Sequence, residues 1–238
     1  TPFLGDTTSQ TVTVFPISDH RASVVRCDHI AAGQILFEFE PDAHSVREDW
    51  QTAGQIVVVS TSPGQGTPLA LYDAPQTGRL RCLARIDGEP NSVVKAIGDG
   101  VDEIYISRPF GPGFDLAAAD GHHAVCVATG TGISPIRALI DGLLHRKRAL
   151  SLSLHYGVRT EAHVAIAYEL QSWSLAGVHA EVSFDEDGRK PRSRVQDALF
   201  ARNHDWSNSK LYVAGHPPLV RELQCRVQSM GGDVLLNF

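Results

Sequence analysis

The stretch Ala124–Pro135, AVCVATGTGISP, with IRALIDGLL directly after it, decides the fold. Val125, Val127 and the small residues between them form the short apolar run that a strand buried on both faces requires. Gly130 and Gly132 then let the backbone turn tightly and approach a ligand where a side chain would clash. Ser134 reads as an N-cap and Pro135 as a first helical residue, so a helix is expected to start here with its unpaired N–H groups facing the turn. Those donors and the helix dipole favour an anion such as a diphosphate. Ordinary structural turns share such a glycine pattern, so its weight depends on its neighbours.

Downstream, the same grammar repeats. Ile136, Leu139, Ile140, Leu143 and Leu144 fall at helical spacing,. Leu150–Tyr156 reads as a second strand running into Gly157-Val158-Arg159, and Val178–Phe184 as a third after the helical stretch Ala162–Trp173. Lys210–Ala214 is the fourth, ending in Gly215-His216-Pro217-Pro218 ahead of the helical segment Leu219–Met230. Strands alternating with helices at this rhythm predict a parallel sheet covered on both faces, with ligands beyond the carboxyl ends of its strands. The turns at Gly130, Gly157 and Gly215 all fall on that edge.

Upstream the pattern differs. Thr11–Phe15, Ser23–Cys27, Ile35–Glu40, Gln55–Ser60, Pro68–Tyr72, Leu80–Ile86 and Glu103–Ser107 are short strand candidates separated by turn residues, and only Asn91–Gly98 looks helical. Strands without crossover helices predict an antiparallel β barrel or sandwich. The chain thus divides into a polar N-terminal arm over residues 1–10, a barrel domain over 11–117 and an α/β, Rossmann-like nucleotide-binding domain over 118–238.

Composition removes several classes of function. The net charge is −6 and the basic clusters are short, which argues against nucleic acid as a partner,. No apolar run approaches the roughly 20 residues that a membrane span needs. Cys27, Cys82, Cys126 and Cys225 are scattered without metal or iron–sulfur spacing, and the eleven histidines form no paired ligand motif, so no metal site is expected,.

Together these motifs resemble the ferredoxin-NADP reductase superfamily, a flavin-binding barrel followed by a nicotinamide-binding domain, over almost the whole chain. Gly130-Thr131-Gly132-Ile133-Ser134-Pro135, preceded by Thr129, resembles the family's nicotinamide diphosphate loop. Tyr156-Gly157-Val158-Arg159 resembles its second-strand motif, and Ala214 to Leu219, with Gly215 and Pro217, lies where the family has Cys-Gly-Pro-x-x-Met. The resemblance implies NAD(P)H contacts from Thr129, Gly130, Thr131, Gly132, Ile133, Pro135, Tyr156, Gly157, Arg159, Asp185, Gly215 and Pro217. For FAD it implies Leu69, Ala70 and Leu71 on the strand before Ala74-Pro75, Gly88 to Ser92 at the flavin diphosphate, and Phe238 as the terminal ring nearest the reacting flavin. Pro109-Phe110-Gly111 with Phe114 resembles the glycine turn that closes the barrel. The ending Leu235-Leu236-Asn237-Phe238 resembles small plant plastid members. With a start at Thr1 and Met230 as the lone methionine, it carries the expectation of a plastid protein that has lost a transit peptide, the alternative being cytoplasmic.

One departure is specific. The family's flavin signature Arg-x-Tyr-Ser/Thr aligns with Thr67, Leu69 and Ala70, and Ala214 replaces a cysteine common beside the nicotinamide. A lost charge-assisted contact to a diphosphate costs about 1.5–3 kcal/mol and a lost stacked ring about 0.5–1.5, which loosens a flavin without by itself abolishing its site. Acidic Asp185 favours NADH and the basic Arg189-Lys190-Arg192 favours NADPH, leaving the nucleotide open. Two readings follow. One is an NAD(P)H-dependent flavin oxidoreductase delivering electrons to a separate protein or small-molecule acceptor. The other is a catalytically degenerate subunit with a structural or regulatory role in a larger organellar redox or photosynthetic complex.

Overall fold

The computed structural model describes residues 15–88, 92–146, 151–186 and 194–237. Its first sheet contains β1 (His20–Ala31), β2 (Gln34–Pro41), β3 (Ile56–Ser60), β4 (Thr67–Ala70), β5 (Arg81–Arg85) and β6 (Glu103–Ile106), accompanied by the short helices α1 (Ser45–Glu48) and α2 (Ser92–Gly98). The strand order is β4-β3-β6-β1-β2-β5 and every neighbouring pair is antiparallel. An antiparallel bridge from Leu71 to Cys82 ties the two edges together and curls the sheet into a barrel. Phe37, Phe39, Val57, Val59, Ile104 and Ile106 fill its interior, each removed almost entirely from water. Burial of such side chains contributes about 1.5–3 kcal/mol apiece.

The second sheet is wholly parallel. It is formed by β7 (His123–Thr129), β8 (Ser151–Val158), β9 (Val178–Phe184), β10 (Ser209–Ala214) and β11 (Asp233–Leu235), in the order β11-β10-β7-β8-β9. Helices α3 (Ile133–His145), α4 (Ala167–Leu175), α5 (Val195–Ala201) and α6 (Pro217–Ser229) cover it. Alternation along β7 serves both faces: Ala124, Cys126 and Ala128 pack with Ile136, Leu139 and Leu143, whereas Val125 and Val127 pack with Leu199, Leu223 and Val227,. Because β8 and β10 flank β7 on opposite sides, the order reverses at β7 and opens a crevice beyond its carboxyl end,. Among the described residues, no helix is long and apolar enough to cross a membrane.

Two features tie the sheets together. Arg137 of α3 reaches back to the barrel, contacting the Tyr72 carbonyl and Asp73 Oδ1, each at 3.1 Å, while also pairing with Asp141 at 3.0 Å and Glu169 at 2.8 Å. Its guanidinium lies 4.3 Å from the centre of the Tyr72 ring. Asp73 is completed by a bidentate bond from Arg81, both distances being 2.6 Å. At the other end of the chain, buried Asn237 Nδ2 donates to the Gly54 carbonyl at 2.8 Å across 183 residues. The Phe114 ring, fully buried, packs edge-on to Tyr212 at 5.7 Å and fills the space that a side chain at Gly54 would need.

Several elements differ from expectation. Helix α3 begins at Ile133, after a 3-10 turn over Gly130–Gly132, so Ser134 is not its cap. Instead Ser134 is buried in the first turn and donates its hydroxyl to the Ala70 carbonyl at 3.0 Å, joining the nucleotide sheet to β4. Sequence reading missed α1, α5 and β11, which are too short to show a clear period,. The expected arm over residues 1–10 and most of the Thr11–Phe15 candidate lie outside the described residues.

Candidate functional site

The site begins at the Gly130–Gly132 turn, at the carboxyl end of the central strand. Gly130 has φ +52°, and a side chain there would point into open space. Gly132, at φ −61°, needs glycine for another reason: a Cβ would lie 2.6 Å from both the Ala214 carbonyl oxygen and Gly215 Cα. Gly215, at φ +146°, is pressed on Thr129 in turn, and a Cβ there would overlap Thr129 Oγ1. That hydroxyl accepts a hydrogen bond from the His216 backbone N–H at 3.1 Å. Tyr156 completes the frame by donating its hydroxyl to the Gly130 carbonyl at 3.1 Å. Burial pushes the Tyr156 pKa upward, which keeps that donor proton in place,. The backbone of Gly130 and Thr131 therefore lines the crevice from a fixed turn at the positive, amino end of thirteen-residue α3,.

A cleft of ≈ 210 Å³ opens beside this turn. Thr129, Gly130, Thr131, Gly157, Arg159 and Asp185 line its nucleotide-domain wall, and Gln34, Arg85, Asp87 and His163 lie among its other lining residues. Arg159 meets Glu186 at a loose 3.8 Å with both side chains more than half exposed, a pair that contributes little and is easily given up to a ligand,. Arg85 pairs with Asp87 at 2.6 Å. Gln34 is 3% exposed, donates Nε2 to the His163 carbonyl at 3.0 Å and leaves Oε1 buried without a partner. The cleft's arginines and acids balance, so the helix terminus tips it toward an anion.

The structure thus brings Thr129, Gly130, Thr131, Gly157, Arg159 and Asp185 together, with Gly132 and Gly215 locked behind them. Four of the expected contact residues have buried side chains. Ile133 and Pro135 in the first turn of α3 and Tyr156 on β8 support the turn from behind. Leu71 is fully buried in the barrel core, where its N–H donates to the Gln55 carbonyl. Pro217 is exposed as the first residue of α6. Gln34, Arg85 and Asp87 of the barrel and His163 between β8 and α4 were missed, since nothing local marks residues that meet the nucleotide turn only in the folded chain. Phe238 and Arg189-Lys190-Arg192 lie outside the described residues.

On the barrel side, Thr67, Leu69 and Ala70 are only partly buried, Gly88 and Ser92 are exposed, and Ser92 opens α2. Thr67 Oγ1, where the family carries arginine, is buried without a partner. The register pairs Thr67 with Val59 and Leu69 with Val57, whose side chains fill the barrel, so of the three only Ala70 lies on the outer face, where a flavin would meet no fixed charge on β4,.

Residues 126–224 match the family of oxidoreductase NAD-binding domains. That match spans less than half of the chain, and the two-sheet fold is shared with solved ferredoxin-NADP+ reductases. It is 23% identical to the sulfhydrogenase 2 subunit gamma of Pyrococcus furiosus, over 91% of this chain and 82% of that protein. It is 24% identical to a terephthalate 1,2-dioxygenase reductase component of Comamonas, over 75% of this chain but only about half, 55%, of that relative's length. The ferredoxin NADP+ reductase of Neisseria gonorrhoeae, solved with bound FAD and NADP, superposes with a TM-score of 0.74 at 15% identity, covering 91% of this chain and 96% of that one.

Proposed function

We propose that this chain is an NAD(P)H-dependent flavin reductase whose cofactors are FAD and NAD(P)H and whose electrons go to a separate acceptor. One observation carries the reading: the Gly130–Gly132 turn, at the amino end of α3, is held by Gly215, Thr129 and Tyr156 so that its backbone and Arg159 face one cleft. The diphosphate of the nicotinamide nucleotide would lie on the turn, with Arg159 and Arg85 closing over its charge. When bound, FAD accepts the hydride and releases electrons singly. This chain's own contribution is positional. Ala70 offers a small apolar surface on the outer face of β4, Ser134 fixes it to α3 through the Ala70 carbonyl, and the start of α2 supplies neutral donors.

The acceptor is a protein or redox assembly of the kind the relatives' names record, a hydrogenase subunit set or an oxygenase system. A second reading draws on Thr67, Leu69, Ala70 and Ala214, which stand where the family's chemistry has other residues: a non-catalytic subunit that binds nucleotide without turnover. A visible spectrum of the gently purified chain, recorded before and after adding FAD and then NADH or NADPH, separates them. Flavin bands that bleach with one nucleotide support the reductase and settle the donor. A colourless chain that takes up no added FAD removes it in favour of the subunit.

A further inference from the structure

The turn between β1 and β2 leans on the segment that follows β8. The Ala32 N–H donates to the Ala162 carbonyl at 2.7 Å, and Gln34 Nε2 donates to the His163 carbonyl at 3.0 Å. Both acceptors lie just after Arg159 in the chain, so the barrel holds the loop that carries this arginine. Gly33, at φ +64°, closes the turn, and a Cβ there would lie 2.6 Å from Asp87 Cγ. The register sets Gln34 opposite Arg85, so the two side chains stand on one face of the barrel, and both line the cleft,.

Gln34 does more than tie the sheets. It is 3% exposed, and its Oε1 is buried without a partner. Turning the amide over would set Oε1 against the His163 carbonyl oxygen, so the bond to His163 fixes which arm is the acceptor,. Among the described residues, no other side chain lining the cleft has a buried polar atom left unmet. A buried acceptor calls for a donor, and a diphosphate, which carries only acceptors at neutral pH, offers none. At ≈ 210 Å³ the cleft is smaller than the roughly 300 Å³ at which pockets begin to hold a whole drug-sized ligand, so it takes only part of a dinucleotide,. It lies at the carboxyl ends of β8 and β9, where sheets of this kind hold the adenosine half, with its ribose beside an acidic residue, here Asp185,. Ribose is also the first donor-bearing group beyond the diphosphate.

We infer that Gln34 is a nucleotide-binding residue supplied by the barrel, its Oε1 accepting a hydrogen bond from a hydroxyl of the adenosine ribose. This rests on the nucleotide reading of the cleft and adds to it a contact from outside residues 126–224, the part that matches NAD-binding domains. The test is calorimetric titration of the full chain with ADP, 2′-deoxy-ADP and 3′-deoxy-ADP, in wild type and in Gln34→Met, which keeps the side-chain length and removes the acceptor. Wild type is expected to bind ADP about tenfold more tightly than one of the two deoxy compounds, as one such hydrogen bond implies. Gln34→Met should weaken ADP by the same factor and no longer distinguish it from that compound. Should Gln34→Met fail to fold, Gln34→Ala removes the same acceptor and carries the comparison. Equal weakening of all three ligands would overturn the contact and leave Gln34 as a clamp on the Arg159 loop, and an unchanged ADP affinity would leave Oε1 to water. A wild-type chain that binds all three compounds alike refutes this contact alone. One that binds none of them, and neither NADH nor NADPH, refutes the nucleotide reading itself.

Discussion

Replacing Arg137 with leucine tests whether the two sheets are held by charge or only by apolar contact. The guanidinium is 11% exposed and serves Asp73, Asp141 and Glu169, all within 3.1 Å. Burial opposes its charge, yet Asp141 and the other partners win, and its pKa is raised. Removing one member of a buried ion pair costs about 3–5 kcal/mol because the opposite charge is stranded. Asp73 keeps Arg81, so the lower end, about 3 kcal/mol, applies, and at about 2–4 °C per kcal/mol this lowers the melting temperature by about 6–12 °C,. The loss should depend on pH in one direction. Burial already raises the Asp141 pKa, with Arg137 pulling it back. Without Arg137 it rises further, the native state then binds more protons than the unfolded chain, and stability recovers as pH falls. Urea melts of both proteins at pH 7.5 and pH 5 give the answer. A deficit under about 1 kcal/mol, or one that fails to shrink at pH 5, would refute the charge-based account.

Gly132→Ala, whose Cβ meets backbone at 2.6 Å, should prise the two turns apart and abolish nucleotide binding, as read by quenching of NAD(P)H fluorescence. Gly130→Ala, with open space but φ +52°, should cost only about 1–2 kcal/mol of stability and retain binding; equal effects would remove the distinction,. Tyr156→Phe deletes the bond to the Gly130 carbonyl and should weaken nucleotide binding several-fold, with a stability loss of about 1 kcal/mol in chemical denaturation,. Burial, reinforced by His204, lowers the His155 pKa to about 4. Its contribution is therefore complete above the unfolded value of about 6.5, and about 3 kcal/mol is lost as pH falls from there to about 4,. An acid titration followed by circular dichroism should lose this increment in wild type and keep it in His155→Gln.

Lys210–Ala214 misses β10 by one residue because that inner strand reads as an apolar run, and Val178–Phe184 matches β9, an edge strand, because apolar and polar residues alternate strictly along it after Gly177,. The start of α3 was misplaced because Ser134-Pro135 imitates a cap, while the preceding glycines had already begun to wind. What stayed hidden was assembled by register and not by neighbourhood. Arg137 meets Asp73 across 64 residues, and His123, His155 and His204 converge only because β7 and β8 pair side by side and the segment before β10 folds over them. Arg85 and Gln34 reach the cleft by the same long-range route. On β4 the sequence named the right strand, but Leu71 turned into the core, a distinction that depends on how the barrel edges meet at Leu71 and Cys82.

The bond from Asn237 to Gly54 gives the barrel a timetable. Its acceptor loop is made early and its donor follows 183 residues later. At synthesis rates of about 5–20 residues per second, the loop waits roughly ten to forty seconds for its partner. The first half of the chain to emerge from the ribosome is thus among the last to be finished, with the Gly54 carbonyl unmet until the second half has folded beside it.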